Sequence, residues 1–142
     1  PTARRELWDA VRELRKSDGT TALLTTHLLE EAETCDRLAI VSRGKLVALG
    51  TPDELKAQVG GDVVTVVSRD AAALQGDVET RFRVKPSVVD GALRIEREGG
   101  RALVPQLLEA FPGRIESVTV GRPSLEDVFV RRTGRRFEDD ER

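Results

Sequence analysis

The apolar pattern of this 142-residue chain changes at the glycine pair Gly60-Gly61. Before it, apolar residues come in short unbroken runs, which are typical of strands buried on both faces of a sheet. After it, apolar and polar residues alternate, which is typical of strands with one face on a core and the other in water. Because glycines also interrupt regular structure, we predict two units, residues 1–60 and 61–136, followed by a disordered, solvated tail at 137–142.

The first unit is predicted to be α/β. Apolar residues at helical spacing run from Leu7 to Leu14, which predicts an opening helix that ends before Gly19. The run Thr20–Thr26 is β-branched and apolar, so we predict a strand buried in a parallel sheet. A short helix, a hairpin and a capped helix are predicted next, at 29–34, 38–49 and 51–59.

The second unit is predicted to be α+β. Val78, Thr80, Phe82 and Val84 alternate with charged residues, which makes 78–84 a strong strand pattern. The other predicted strands are 63–67, a return strand in which Leu93 and Ile95 alternate with Arg94 and Glu96, and 115–120; the helices are 71–74, 103–111 and 125–132. The order β, α, β, β, α, β with one added helix is close to a ferredoxin-like fold.

Three local signals accompany these elements. Thr51 with Glu54, and Ser124 with Asp127, have the spacing of capping boxes, in which each side chain bonds the other residue's backbone amide. Asp90-Gly91 is a typical two-residue hairpin turn.

Composition excludes several function classes. The 23 basic and 25 acidic residues give a formal net charge of −2, so the chain lacks the positive field that draws proteins onto nucleic acid. Its longest uncharged run, 19–29, is shorter than the roughly 18 residues that a membrane span needs. One cysteine and one histidine cannot form an internal disulfide or a multi-histidine metal centre. The cytosol is the expected compartment.

His27 is the main candidate for a functional side chain. It follows the predicted strand Thr20–Thr26, and open α/β sheets bind ligands beyond the carboxyl ends of their strands. Contact with a phosphate or a water molecule is one interpretation of this residue. The other is an ordinary strand-end histidine, bonded to a neighbouring backbone group.

Other candidates are weaker. An acidic set, which is expected to be a solvated helix face, comprises Glu30, Glu31, Glu33 and Asp36. Cys35 has no basic cluster near it and is expected to be a packing residue. The basic run 131–136 is interpreted either as a contact for phosphates or acidic partners or as ordinary cations at a helix end. The sequence contains no GxxxxGK[ST] phosphate loop, so it holds no nucleotide cradle of its own.

Several stretches share the motifs of one known family. Three of them are Thr25-Thr26-His27-Leu28-Leu29-Glu30-Glu31-Ala32-Glu33, Cys35-Asp36-Arg37 and Gly44-Lys45-Leu46-Val47-Ala48-Leu49-Gly50-Thr51-Pro52. They resemble the last part of the ATP-binding domain of ABC-transporter ATP-binding subunits. Pro1-Thr2-Ala3-Arg4 resembles the residues that follow the family's D-loop. The ending Pro123-Ser124-Leu125-Glu126-Asp127-Val128-Phe129 resembles the accessory C-terminal domain of drug-exporter subunits of the daunorubicin-resistance type.

The resemblance implies a C-terminal fragment of a P-loop ATPase α/β core followed by a small ferredoxin-like accessory domain. By this resemblance, His27 lies at the position of the family's switch histidine, which contacts the γ-phosphate of ATP. The phosphate loop, glutamine loop, signature sequence and catalytic glutamate would all precede Pro1. ATP and Mg²⁺ are therefore expected as cofactors of the intact parent, and none for this chain alone.

The resemblance also implies partners. They are a second ATP-binding subunit, in a homodimer, and a separate transmembrane permease subunit that holds the ATPase at the inner face of the membrane. The parent would then drive drug or multidrug export, with no nucleic-acid partner. The alternative is a free-standing ferredoxin-like module that regulates or binds a small ligand. RNA binding is disfavoured because the four phenylalanines are too scattered for a stacking platform.

Overall fold

The structure, a computed structural model, describes residues 2–137. Within that range the chain is mixed α and β, with six α-helices and two antiparallel sheets. The helices are α1 (Thr2–Asp18), α2 (Leu29–Ala32), α3 (Pro52–Ala57), α4 (Ala71–Phe82), α5 (Leu103–Ala110) and α6 (Leu125–Thr133). The strands are β1 (Leu38–Ser42), β2 (Lys45–Gly50), β3 (Asp62–Val67), β4 (Ser87–Val89), β5 (Ala92–Arg97) and β6 (Ser117–Gly121).

The smaller sheet is the predicted hairpin. Strands β1 and β2 pair antiparallel from Leu38 opposite Gly50 to Ser42 opposite Lys45. Arg43 and Gly44 both have positive φ angles, 47° and 72°, which is the backbone of the hairpin turn whose twist matches that of the strands. The capping box at Thr51 and Glu54 starts α3 directly after the hairpin and is confirmed.

The larger sheet has the strand order β4-β5-β3-β6, with every pair antiparallel. Strand β3 is central, since it pairs with β5 on one side and β6 on the other. Along the chain the elements run β3, α4, β4, β5, α5, β6, so the predicted βαββαβ order is confirmed. The Asp90-Gly91 turn is confirmed by the positive φ angles of both residues.

One face of this sheet forms a core with α4 and α5. Val64 and Val66 alternate onto that face, as their period of two requires, and both are fully buried. The other buried members of the cluster are Leu74, Val78, Leu93, Ile95, Leu103, Leu107 and Phe111. Pro105 is tolerated in α5 because it lies in the first turn, where no helical hydrogen bond is lost.

A second core joins the two predicted units across Gly60-Gly61. Helix α6 covers the opposite face of the sheet, and its Phe129 is fully buried. The buried members of this cluster are Ile40, Ala48, Leu55, Val59, Val63, Leu125, Val128 and Phe129. The hairpin and α3 therefore share one core with the larger sheet.

Gly61 has a packing role as well as a conformational one. Its φ is +88°, which disfavours residues with a side chain, and a Cβ atom there would lie 2.4 Å from the backbone nitrogen of Glu98. The connection between β2–α3 and β3 is thus packed against the end of β5.

The predicted strand 78–84 is wrong, because most of it is the C-terminal part of α4. Leu74, Val78 and Phe82 are spaced by four, so the same residues that suggest alternation also line one helix face. Asp70 caps the helix through a hydrogen bond from the amide of Ala73 at 3.1 Å, and the helix continues past the predicted end at 74 to Phe82. The hairpin strand is instead β4, which follows Pro86.

The predicted strand Thr20–Thr26 is also wrong in this structure. The segment forms no strand and is largely exposed, with the Leu23 side chain 97% exposed. Every strand pair within residues 2–137 is antiparallel, so the expected parallel α/β core is not formed there. A buried strand requires hydrogen-bonding neighbours on its edges, and the described part of the chain supplies none at this segment.

The predicted tail 137–142 begins with a packed residue. The Phe137 ring lies edge-on to Phe129 with centroids 4.9 Å apart, and its amide donates to Glu126 Oε1 at 3.1 Å. Just before it, Arg135 Nη2 donates to the buried Ser42 hydroxyl at 2.9 Å. Residues 138–142 lie outside the described range.

None of the helices between residues 2 and 137 has both the length and the apolar character needed to cross a lipid bilayer.

The shared core predicts how the chain unfolds. The substitution Phe129→Ala is expected to lower the free energy of unfolding by roughly 3 to 5 kcal/mol, because it removes a fully buried aromatic ring and leaves a cavity. Urea unfolding followed by circular dichroism should show one transition in both proteins. The control Leu108→Ala, at a half-exposed position of α5, should change stability little. Separate transitions for the two halves would contradict a shared core.

Candidate functional site

His27 lies on an exposed loop between the segment 20–26 and α2. The loop is ordered by its neighbours: the amide of Leu28 donates to Thr26 Oγ1 at 3.0 Å, and the amides of Glu31 and Ala32 donate to the Leu28 carbonyl. The backbone is thus held on both sides of His27 while its imidazole faces solvent.

Glu31 is the polar centre of this region. Its Oε1 accepts from Trp8 Nε1 at 3.1 Å and from Arg4, and its Oε2 accepts from Thr26 Oγ1 at 2.5 Å. The side chain is only 13% exposed. Arg4 and Trp8 are on α1, Thr26 precedes His27 and Glu31 is on α2, so one carboxylate connects both helices to the His27 loop.

These hydrogen bonds explain the acidity of Glu31. The bond from Arg4, followed by those from Thr26 and Trp8, lowers the pKa of the carboxyl from 4.5 to about 2. Each donor stabilises the charged form, and together they outweigh the partial burial, which acts in the opposite direction. Glu31 is therefore ionised throughout the physiological range.

The neighbouring acidic residues form further links rather than only a solvated face. Asp36 pairs with Arg15 of α1, and Glu33 accepts from Lys56 of α3 at 2.6 Å. The bond to Glu33 raises the pKa of Lys56, because it favours the charged ammonium. Within residues 2–137 no three acidic, histidine or cysteine side chains are grouped as metal ligands would be.

Cys35 is half-buried and lies 3.6 Å from the carbonyl oxygen of Glu31 through its Sγ. Burial, followed by the nearby Asp36 carboxylate, raises the pKa of the thiol. A raised pKa keeps the sulfur protonated and unreactive at neutral pH, which agrees with a packing role.

The basic run 131–136 is used largely in internal contacts. Arg131 donates to Glu96 at 2.6 Å, Arg132 to Gln58, and Arg136 Nε lies 2.8 Å from Asp90. Arg135 donates to Ser42 of β1. Together these arginines attach the end of α6 to β1, to the β4–β5 hairpin and to Gln58, the residue after α3. This arrangement favours structural cations over a phosphate-binding patch.

Several large apolar side chains of the first unit are exposed. Large side chains of α1, of the segment 20–26 and of the hairpin are exposed, namely Leu7, Leu14, Leu23, Leu24, Val41, Leu46 and Leu49. His27 directly follows the segment that contains Leu23 and Leu24.

Sequence reasoning selected His27 and missed Glu31. The residues that bind Glu31 are a basic and an aromatic residue of the opening helix, Arg4 and Trp8. They lie 27 and 23 positions from Glu31 along the chain, so the sequence pattern does not show that they contact it. No short-range pattern reveals a hydrogen bond of that separation.

The acidity of Glu31 predicts a pH-dependent contribution to stability. Its pKa is lower in the folded chain than its ordinary 4.5, so the stabilisation is complete above about pH 4.5 and disappears as the pH falls to about 2. Relative to the Glu31→Gln variant, the wild-type chain should lose its advantage within that window. Urea unfolding at a series of pH values measures it. The control Glu30→Gln removes an exposed neighbouring carboxylate and should show no such window; a pH-independent Glu31→Gln difference would contradict the account.

Comparison with known proteins agrees with the predicted resemblance. Residues 50–133 match the family described as ATP-binding protein DrrA1-3-like, C-terminal domain. The match starts at Gly50, so it includes α3 along with the larger sheet and α6.

Relatives extend the similarity to nearly the whole chain. The daunorubicin resistance ATP-binding proteins DrrA3 and DrrA2 of Streptomyces coeruleorubidus are 39% and 37% identical, over 94% and 99% of this chain. The Nod factor export ATP-binding protein I of Burkholderia orbicola is 36% identical over 98% of it. The aligned regions are 44%, 46% and 45% of those proteins, so this chain spans less than half the length of each. The chain belongs to the DrrA1-3-like family of ABC-transporter ATP-binding proteins and carries their C-terminal domain.

Proposed function

We propose that the first unit contributes His27 to the ATP site of an ABC-type exporter ATPase, where its imidazole contacts the γ-phosphate. The observation that carries this proposal is the exposed His27 on a loop where the Leu28 amide donates to Thr26 Oγ1 and Thr26 Oγ1 donates to Glu31 Oε2. A donor fixed before the reaction stabilises developing charge without the cost of reorganising.

The described residues fit part of an ATP site rather than a whole one. His27 offers one ring N–H toward a phosphate oxygen, and its loop is oriented by Thr26 and Glu31. ATP supplies the phosphoryl group, and Mg²⁺ neutralises charge on its oxygens. Both would be held chiefly by the phosphate loop and signature sequence of the parent ATPase.

The exposed apolar side chains of the first unit support the same proposal. An excess of large apolar side chains in solvent is typical of a chain that contacts further protein. The segment 20–26 has the composition of a buried parallel strand and is next to His27. In the parent it would pair with strands of the ATPase core, which places His27 at the carboxyl end of that sheet.

For the second unit we propose a ferredoxin-like accessory domain, residues 61–136, with a regulatory or dimer-stabilising role. Its support is the strand order β4-β5-β3-β6 with helices α4 and α5 on one face. The second core, which includes Leu55 and Val59 of the first unit, would transmit movements between the ATPase core and this domain.

The proposed partners are a second ATP-binding subunit, in a homodimer around ATP, and a separate transmembrane permease. The complex would sit on the cytoplasmic side of the membrane and export a drug-like compound. The names of the relatives, daunorubicin resistance and Nod factor export, support this class of activity. The free-standing regulatory module is less favoured, because the accessory domain shares a core with the hairpin and α3.

The 142-residue chain by itself is expected not to bind Mg-ATP. Phosphate affinity in a P-loop site comes mainly from the backbone cradle and lysine of the loop, which this sequence lacks. Calorimetric titration with Mg-ATP should give no saturable heat. Binding tighter than about 100 μM, which is roughly 5 to 6 kcal/mol, would contradict this prediction.

In a full-length parent, His27→Ala is expected to reduce ATP hydrolysis by about 10²- to 10³-fold with little loss of ATP affinity. The reason is that a donor acting on charge that develops in the transition state lowers the barrier without tightening ground-state binding. Steady-state hydrolysis and nucleotide affinity would be measured on the same preparation, with folding checked by thermal unfolding.

The matched control is Glu30→Gln, three residues along on α2, which is expected to keep normal hydrolysis. Near-normal turnover by folded His27→Ala protein would instead identify His27 as an ordinary loop residue.

A further inference from the structure

A cavity of about 390 Å³ lies between α6 and the face of the larger sheet that α6 covers. Its walls are formed by Thr65, Val89, Ala92, Arg94, Glu126, Asp127, Val130 and Arg136. One ordered water needs only about 10–15 Å³, and small-molecule sites are commonly roughly 300–1,000 Å³. The cavity is therefore large enough for an organic ligand.

Arg94 is the unusual wall residue. Alternation with Leu93 and Ile95 predicts that it faces water, yet α6 covers that face and the Arg94 side chain is only 9% exposed. Its Nη1 pairs with Asp127 Oδ1, and its Nε lies 3.6 Å from Glu96 Oε1. Among residues 2–137, neither Nε nor Nη2 has a hydrogen-bond partner.

A buried guanidinium with unpartnered N–H groups is costly, because those groups have given up their bonds to water. Asp127 cannot supply more, since its other oxygen, Oδ2, accepts from the amide and hydroxyl of Ser124 in the capping box of α6. Both atoms are inaccessible to solvent, so a turn of the guanidinium toward the cavity would bring them to an acceptor oxygen there and complete the set of bonds around Arg94.

The charge of the wall restricts what carries that oxygen. Arg94 and Arg136 are balanced by Glu126 and Asp127, so the lining has no formal net charge. A simple anion would add a negative charge beside Glu126, whose repulsion opposes binding in a partly buried site. A ligand that carries its own cation avoids this repulsion, because the cation can pair with Glu126.

We propose that this cavity binds a small zwitterion with an apolar body, of which an aliphatic α-amino acid is the simplest example. Its carboxylate accepts from Arg94, and its ammonium pairs with Glu126. Its apolar part contacts Val89, Ala92 and Val130. Such a ligand would bridge β5 and α6, the helix that also joins the two units.

Isothermal titration of the 142-residue chain with three probes of similar shape tests the proposal. L-leucine carries both charged groups, 4-methylpentanoate carries only the carboxylate, and 3-methylbutylamine carries only the ammonium. Leucine is expected to bind at least about tenfold more tightly than either analogue, since each lacks one charge-assisted contact. Equal binding of 4-methylpentanoate, or no binding of leucine, would overturn the proposal.

Variants locate the binding in this cavity. Arg94→Lys keeps a cation for Asp127 but removes the free N–H groups, and it should weaken leucine binding at least about tenfold. Ala92→Leu narrows the cavity from a half-buried position without altering the ion pairs, and it should also weaken leucine binding. This second variant tests the location of the site even if Arg94→Lys does not fold.

The control Arg97→Gln removes an exposed cation of the same strand outside the cavity and should leave the affinity for leucine unchanged. Wild-type affinity in Ala92→Leu would overturn the site.

Discussion

The burial of α6 against two separate surfaces is the constraint on which the rest of the structure depends. Leu125, Val128 and Phe129 pack between the face of β3 and the hairpin with α3, so a single helix completes the core that the two predicted units share. Its orientation is set at the N-terminus, where Asp127 bonds Ser124 and also Arg94 of β5. Because apolar burial is the main favourable term in folding, this shared core makes the units interdependent.

Around His27, polar contacts join separate elements of the chain. The Glu31 carboxylate and the donors that converge on it hold this loop, while Leu29 and Ala32 of the adjacent α2 pack against the second core. A charged acceptor with three donors is stronger and more directional than isolated surface ion pairs. The region proposed for ATP contact is thus ordered, although the side chain proposed to make that contact remains in solvent.

Prediction from the sequence succeeded where the signal is local and failed where two patterns coincide. Capping boxes, the Asp90-Gly91 turn and the hairpin depend on residues within a few positions, and all are confirmed. Most of the strand predicted at 78–84 lies in helix α4, because Leu74, Val78 and Phe82 satisfy both the strand and the helix period. Thr20–Thr26 has a buried-strand composition, but that composition forms a strand only where neighbours pair with it.

The sequence alone determined the family, the order of elements in the larger sheet and the choice of His27 as a candidate. These follow from motifs and turn residues whose physical effects are local. Only the tertiary structure decided that α6 joins both units, that Glu31 orders the His27 loop and that Arg94 is buried beside a cavity. The contacts of α6 with the hairpin and α3, the ion pair of Arg94 with Asp127, and the bonds that Glu31 accepts from Arg4 and Trp8 join residues more than 20 positions apart, whereas the bond from Thr26 to Glu31 spans five. The spacing of residues along the chain does not encode such contacts, because they arise only when the elements pack.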